Sequence, residues 1–269
     1  MATDEIANLV QATADSYGYN CSVIDFALDT TILHLDDNNN TETLFVFPFL
    51  GRKIIWTNPI QDNDGHYAQR VRIDWVDQVG FSDYGIVMKF LSAVCFLADG
   101  IVLDVLFNAS GPFPGPRCSR KVSFSCLNGY GIDFLLRSVD WGKILDSDWA
   151  KLAYYRQGVN SRSSHLAFLS FRNILEVHFK RNHDDIKKYI NEEIEKIQNF
   201  EEWKMKNGSN FYRKLKDTRH KSAHVLLNND PLSQVQNPDN PIEYIEMNEN
   251  KLIIKTISEK IINSCLYKN

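Results

Sequence analysis

The sequence predicts an α+β protein in two parts: a mostly antiparallel β domain with one or two helices over residues 1–145, and an α-helical bundle over residues 146–269. Three observations carry this. Short apolar runs rich in Val, Ile, Phe and Thr alternate with turn signals through the first part. After about residue 145 the apolar period becomes that of amphipathic helices. Hydrophobic residues make up 43% and charged residues 24% of the 269, enough to bury a core and too apolar for a disordered chain.

The strand-like runs are Ser22–Leu28, Thr31–Leu35, Thr43–Phe49, Lys53–Trp56, Gln69–Trp75, Ile101–Phe107 and Lys121–Phe124. Turn-forming clusters at 37–40 (Asp-Asn-Asn-Asn), 62–65 (Asp-Asn-Asp-Gly) and 111–116 (Gly-Pro-Phe-Pro-Gly-Pro) separate several of them. Gly111–Pro116 has neither the lysine nor the spacing of a phosphate loop, so it reads as a turn. Tyr84–Leu97, with Ile86, Phe90, Leu91 and Val94 in register, is the helix-like segment of this half.

In the second half Trp149–Val159 can form a helix, and the serines of 161–164 offer caps to a stronger one bearing Leu166, Leu169, Ile174 and Leu175. Asp184–Phe200 carries Ile186, Tyr189, Ile190, Ile194 and Ile197 at helical spacing. Ser209 is placed to cap a helix running through Leu215 to about Leu227. A loop rich in Asn, Pro and Asp, expected to be mobile, spans 228–241. Ile242–Met247 and Lys251–Ile254 flank Asn248-Glu249-Asn250 and read as a hairpin, followed by a last helix from Ser258 to Leu266.

Charge and cysteines narrow the class. The net charge is −4 and the pI near 6.0, which argues against a protein coated in basic charge for long nucleic acid. The five cysteines are odd in number and widely spaced without a CxxC pair, so they describe neither a disulfide framework nor a zinc ribbon. The first twenty residues have acidic groups where a signal peptide has basic ones, and no apolar run approaches the ~20 residues of a membrane helix. A cytoplasmic protein without membrane contact, metal or cofactor is expected.

Reactive side chains concentrate in Arg219-His220-Lys221-Ser222-Ala223-His224. A fixed guanidinium beside imidazoles that titrate near neutral pH suits binding or cleavage of a phosphodiester. The plainer alternative is an exposed helix face, with Arg213, Asp217 and Lys221 four apart as a ladder of ion pairs. Five positions at ~3.6 residues per turn put Arg219 and His224 about 140° apart around the helix, whereas His220 and His224 share a face.

Arg219, the polar His220, three more positions and then His224, late in a short helical bundle, resemble the signature of the HEPN superfamily. Glu176, near the end of an earlier helix, stands where many of its members have an acidic residue. Upstream, the stretch 89–96 (Lys-Phe-Leu-Ser-Ala-Val-Cys-Phe) and the stretch 105–111 (Val-Leu-Phe-Asn-Ala-Ser-Gly) are similar to the N-terminal region of MauJ-like methylamine-utilisation proteins, which join such a region to a HEPN-like bundle. The resemblance implies metal-independent RNA cleavage through attack of the ribose 2′-hydroxyl. Arg219 and His224 would be catalytic with His220 as a further acid–base group, and Lys221 and Glu176 would bind substrate. It further implies a homodimer through the helical domain, RNA as partner, a protein partner such as an antitoxin, and a setting in prokaryotic defence or a toxin–antitoxin system.

Three rival readings stand beside it. His220 and His224 at i, i+4 have the spacing of a metal pair, but lysine follows His220 where HExxH has glutamate. A HEPN-like bundle can serve as a non-catalytic dimerisation or nucleotide-binding module. The β domain can be the active part, with Asp74, Asp77, Asp83 and His66 as its polar candidates. The basic cluster His178, Lys180, Arg181 and His183 reads first as favourable charge at a helix C-terminus and second as an RNA-binding rim.

Overall fold

Alternation becomes strands in the first part: β1 (Cys21–Leu28), β2 (Thr31–Leu33), β3 (Leu44–Phe49), β4 (Arg52–Gln61), β5 (Tyr67–Asp74), β6 (Val105–Ser110) and β7 (Phe124–Cys126). They interleave with α1 (Phe81–Leu97) and precede α2 (Gly129–Arg137), so the fold is α+β. The computed structural model describes residues 21–28, 31–33, 44–61, 67–74, 81–99, 105–110, 124–126, 129–197, 200–208, 210–224 and 241–267. The turns expected at 37–40, 62–65 and 111–116, the cap Ser209 and the loop at 228–240 lie outside these residues.

The described strands form a five-stranded antiparallel sheet in the order β3-β4-β5-β1-β6, and β2 pairs with β7 in parallel. In β3, Phe45, Phe47 and Phe49 are buried while Pro48 is exposed, the period-two pattern of a half-buried strand. Pro48 is tolerated because β3 is an edge strand. Leu50 and Gly51, both at positive φ (48° and 74°), make the two-residue hairpin into β4. Ile54, Ile55 and Trp56 of β4 are all fully buried, so this strand is covered on both faces. Phe90 of α1 packs against Phe47, Phe49 and Trp56, and Phe49 also meets Trp141.

The chain divides into two compact units, Met1–Lys143 and Ile144–Asn269. The second holds α3 (Asp146–Asn160), α4 (Ser164–His178), α5 (His183–Glu195), α6 (Glu201–Asn207), α7 (Phe211–His224) and α8 (Pro241–Leu266). Ser163 caps α4 by accepting from the Leu166 amide, and Asn182 caps α5 by accepting from Asp184 and Asp185. The helix expected over 184–200 is shorter, with its C-cap at Lys196, and α6 is a separate short helix.

Helix α4 is central, packing against α3, α7 and α8. The three-residue link from α3 makes these two an antiparallel pair that approaches closely at Gly158, where a Cβ would lie 2.7 Å from the Phe171 ring. Phe168, Phe171, Ile174 and Leu175 fill its core-facing side.

The largest departure from expectation is α8. The hairpin expected around Asn248–Asn250 does not form, and residues 241–266 are one helix of 26 residues. Asparagine favours turns because its side chain competes for backbone groups. Here tertiary partners absorb that capacity. Asn250 is buried, accepting from Trp203 Nε1 at 3.1 Å and donating to Thr218 Oγ1 at 2.9 Å. Asn248 donates to the Tyr244 carbonyl and accepts from Ser164 and Lys251. Ile253, Ile254, Ile257, Ile261 and Ile262 then supply a buried face at helical spacing.

Candidate functional site

The helix carrying the Arg–His hexamer is held on one face. Phe211 stacks on Trp203 at 5.4 Å, and Leu215, Thr218 and Ser222 are buried at spacings of three and four. Thr218 is tied to Asn250 of α8, and Ser222 Oγ lies 3.2 Å from His165 Nδ1 of α4. Burial pushes the His165 imidazole below its usual pKa, with the Glu243 carboxylate pulling the other way.

Arg219 borders this packed face. Its Nε donates to Glu176 Oε1 of α4 at 3.2 Å, and the two side chains are 36% and 15% exposed. The structure therefore brings together two of the residues singled out in the sequence, from helices far apart along the chain. Lys221 is half-buried, and Glu246 is among the acids that feel its charge. His220 is exposed. His224 is the last residue of α7, at the register of His220, and its side chain lies outside the described residues. The ladder of Arg213, Asp217 and Lys221 does not form among the described residues; Lys214 instead pairs with Glu246 at 2.6 Å.

A third charged residue completes the cluster, and sequence reasoning missed it. Arg172, one turn before Glu176 on α4, is only 3% exposed, and its Nη1 has no hydrogen-bond partner among the described residues. Burial lowers its pKa, Glu176 and Tyr212 favour its charge, and Arg219 opposes it. Two guanidiniums thus share the neighbourhood of one carboxylate. The signal was present in the sequence: an arginine standing in the buried register of α4 between Phe168, Phe171 and Leu175.

Glu176 also lines an open pocket of about 280 Å³ with Tyr154, Asn173, Val177, Lys180 and Arg181. Lys180 and Arg181 form the turn that ends α4, at φ 49° and 63°, where the Arg181 amide bonds the Glu176 carbonyl at 2.8 Å. Both are exposed, and neither is ion-paired among the described residues.

The β-domain candidates are less defined. Asp74 ends β5 and Asp83 opens α1, while His66 and Asp77 lie outside the described residues. Among the described residues, no three His, Cys, Asp or Glu side chains are grouped to hold a metal ion, and no helix is long and apolar enough to cross a membrane. Comparison with protein-family models, curated proteins and solved structures finds no match to this chain.

Proposed function

We propose that this chain is a metal-independent endoribonuclease that acts as a homodimer, in a prokaryotic defence or toxin–antitoxin setting. The observation that supports it best is Arg219, on the helix that ends in His224, bonded to Glu176, a carboxylate that lines one pocket with Lys180 and Arg181.

In this reading the ribose 2′-oxygen attacks the adjacent phosphorus while its proton passes to an imidazole. The phosphorus–5′-oxygen bond breaks, and the departing 5′-oxygen takes a proton from an imidazolium. The products are a 2′,3′-cyclic phosphate and a 5′-hydroxyl, so no external nucleophile is consumed. His224 is the first acid–base group and His220 the second. Arg219 stabilises charge on the phosphate oxygens, a task its planar, permanently charged fork suits. Lys221 and Glu176 bind and orient the strand. Helical register separates Arg219 from His224 by about 140°, so a second chain brings the complementary half of each site.

The test is RNA cleavage in EDTA. Wild type cuts, and Arg219→Ala and His224→Ala each stop cutting while circular dichroism and mass in solution stay those of the wild-type dimer. Cutting that survives both substitutions sinks the assignment.

The Arg219–Glu176 bond also favours a second reading, a non-catalytic HEPN-like dimerisation or nucleotide-binding module, because the carboxylate already partly neutralises the arginine. A wild type that dimerises yet leaves every RNA intact selects this second reading.

A further inference from the structure

We propose that the pocket at the C-terminal end of α4 recognises a nucleoside phosphate, with Lys180 and Arg181 on the phosphate and the Tyr154 ring against the base. The ligand is either one nucleotide of a single RNA strand or a free mononucleotide, and the RNA source rests on the endoribonuclease reading above.

Four features of the pocket converge. Its volume, about 280 Å³, is of the size that a small ligand fills. Lys180 and Arg181 line it against Glu176, its one carboxylate, and neither cation is ion-paired among the described residues. Arg219 reaches the same carboxylate from α7, and Arg172 stands one turn away on α4. Lys180 and Arg181 thus outnumber the one carboxylate of the lining, which Arg219 already shares, an imbalance that an incoming phosphate corrects.

The backbone adds another constraint. Lys180 and Arg181 hold positive φ, a conformation that glycine adopts without steric cost, so the turn presents two long cations where the smallest residue fits most easily. Attraction to the end of α4 accounts for basic residues in the last turn. It does not account for their lining the same pocket as Tyr154 and Asn173, a ring and an amide suited to stacking on a base and bonding its edge.

The experiment titrates full-length protein with cytidine 3′-monophosphate, cytidine and inorganic phosphate by calorimetry, and an RNA 12-mer by fluorescence anisotropy. The RNA titration uses His224→Ala to keep the strand intact. The proteins are the parent and the Lys180→Gln/Arg181→Gln double variant, whose two sites are exposed and outside the packed core.

The nucleotide is expected to bind at least about tenfold more tightly than cytidine, and the double variant to lose about tenfold or more of that binding. If the strand crosses the pocket, the double variant also weakens the 12-mer, and its salt slope falls by about 0.7 for each phosphate that is no longer neutralised. Lost nucleotide binding with unchanged RNA binding identifies a free mononucleotide as the ligand. Equal binding of cytidine and its phosphate, or a double variant that binds like the parent, overturns the proposal. Nucleotide binding by a wild type that never cuts RNA would sink the nuclease reading and leave the pocket standing.

Discussion

Arg219 of α7 and Glu176 of α4 meet at 3.2 Å through one N–H of a guanidinium and one carboxylate oxygen. They are 43 residues apart in sequence, and the bond exists because α7 buries Leu215, Thr218 and Ser222 and leaves Arg219 at the edge of that packed face. The buried Arg172 stands beside the same carboxylate, so Glu176 serves two cations at once.

Replacing Glu176 with Gln keeps a hydrogen-bonding oxygen and removes the charge. The partly exposed ion pair alone accounts for only about 0.2–1 kcal/mol. Arg172 and Arg219 then face each other without a counter-ion, so the variant should gain more thermal stability than wild type from added sulfate. Melting curves across a sulfate series check this, and parallel gains in both proteins would contradict it.

Asn250 is bonded on both sides of its amide, to Trp203 and Thr218, in a buried site. Asn250→Ala leaves an indole N–H without its acceptor and opens a small void. A loss of about 2–4 kcal/mol is expected in urea unfolding, with the m-value unchanged.

At Gly158 α3 lies close against Phe171 of α4. An alanine there gains up to about 1 kcal/mol of helix propensity. It also drives a methyl to within 2.7 Å of Phe171, a ring only 2% exposed and with little room to move. Overpacking of this kind costs about 1–3 kcal/mol, so Gly158→Ala should be net destabilising. Adding Phe171→Leu should recover part of the loss in the same denaturation assay.

The pH response at His165 has a definite sign. Burial lowers its pKa in the folded state below the ordinary 6.5, so the unfolded chain binds the proton more readily. Its contribution to stability is complete above about pH 6.5 and is lost as pH falls from there through the folded-state value. His165→Asn, which can still bond Ser222, should flatten the melting temperature between pH 7 and 5 relative to wild type. An unchanged slope would remove His165 as its source.

Much of the local structure was legible because its causes are local. Apolar spacing placed α1, α4 and α5, and Ser163 caps α4 from within the serine cluster singled out for that role. The hairpin expected at Asn248–Asn250 shows where local reading stops. Its turn propensity amounts to a few tenths of a kcal/mol per residue, and two tertiary hydrogen bonds to Asn250 together with an isoleucine face outweigh it.

The same division applies to the candidate site. The sequence alone determined that Arg219, His220 and His224 share one helix, and that His220 and His224 stand on one face while Arg219 does not, because these follow from a period of 3.6 residues. Only the tertiary structure decided that Glu176 orients Arg219, that Arg172 is buried beside them, and that Lys180, Arg181 and Tyr154 line one pocket. Those relationships join helices through side-chain packing, which no local spacing specifies.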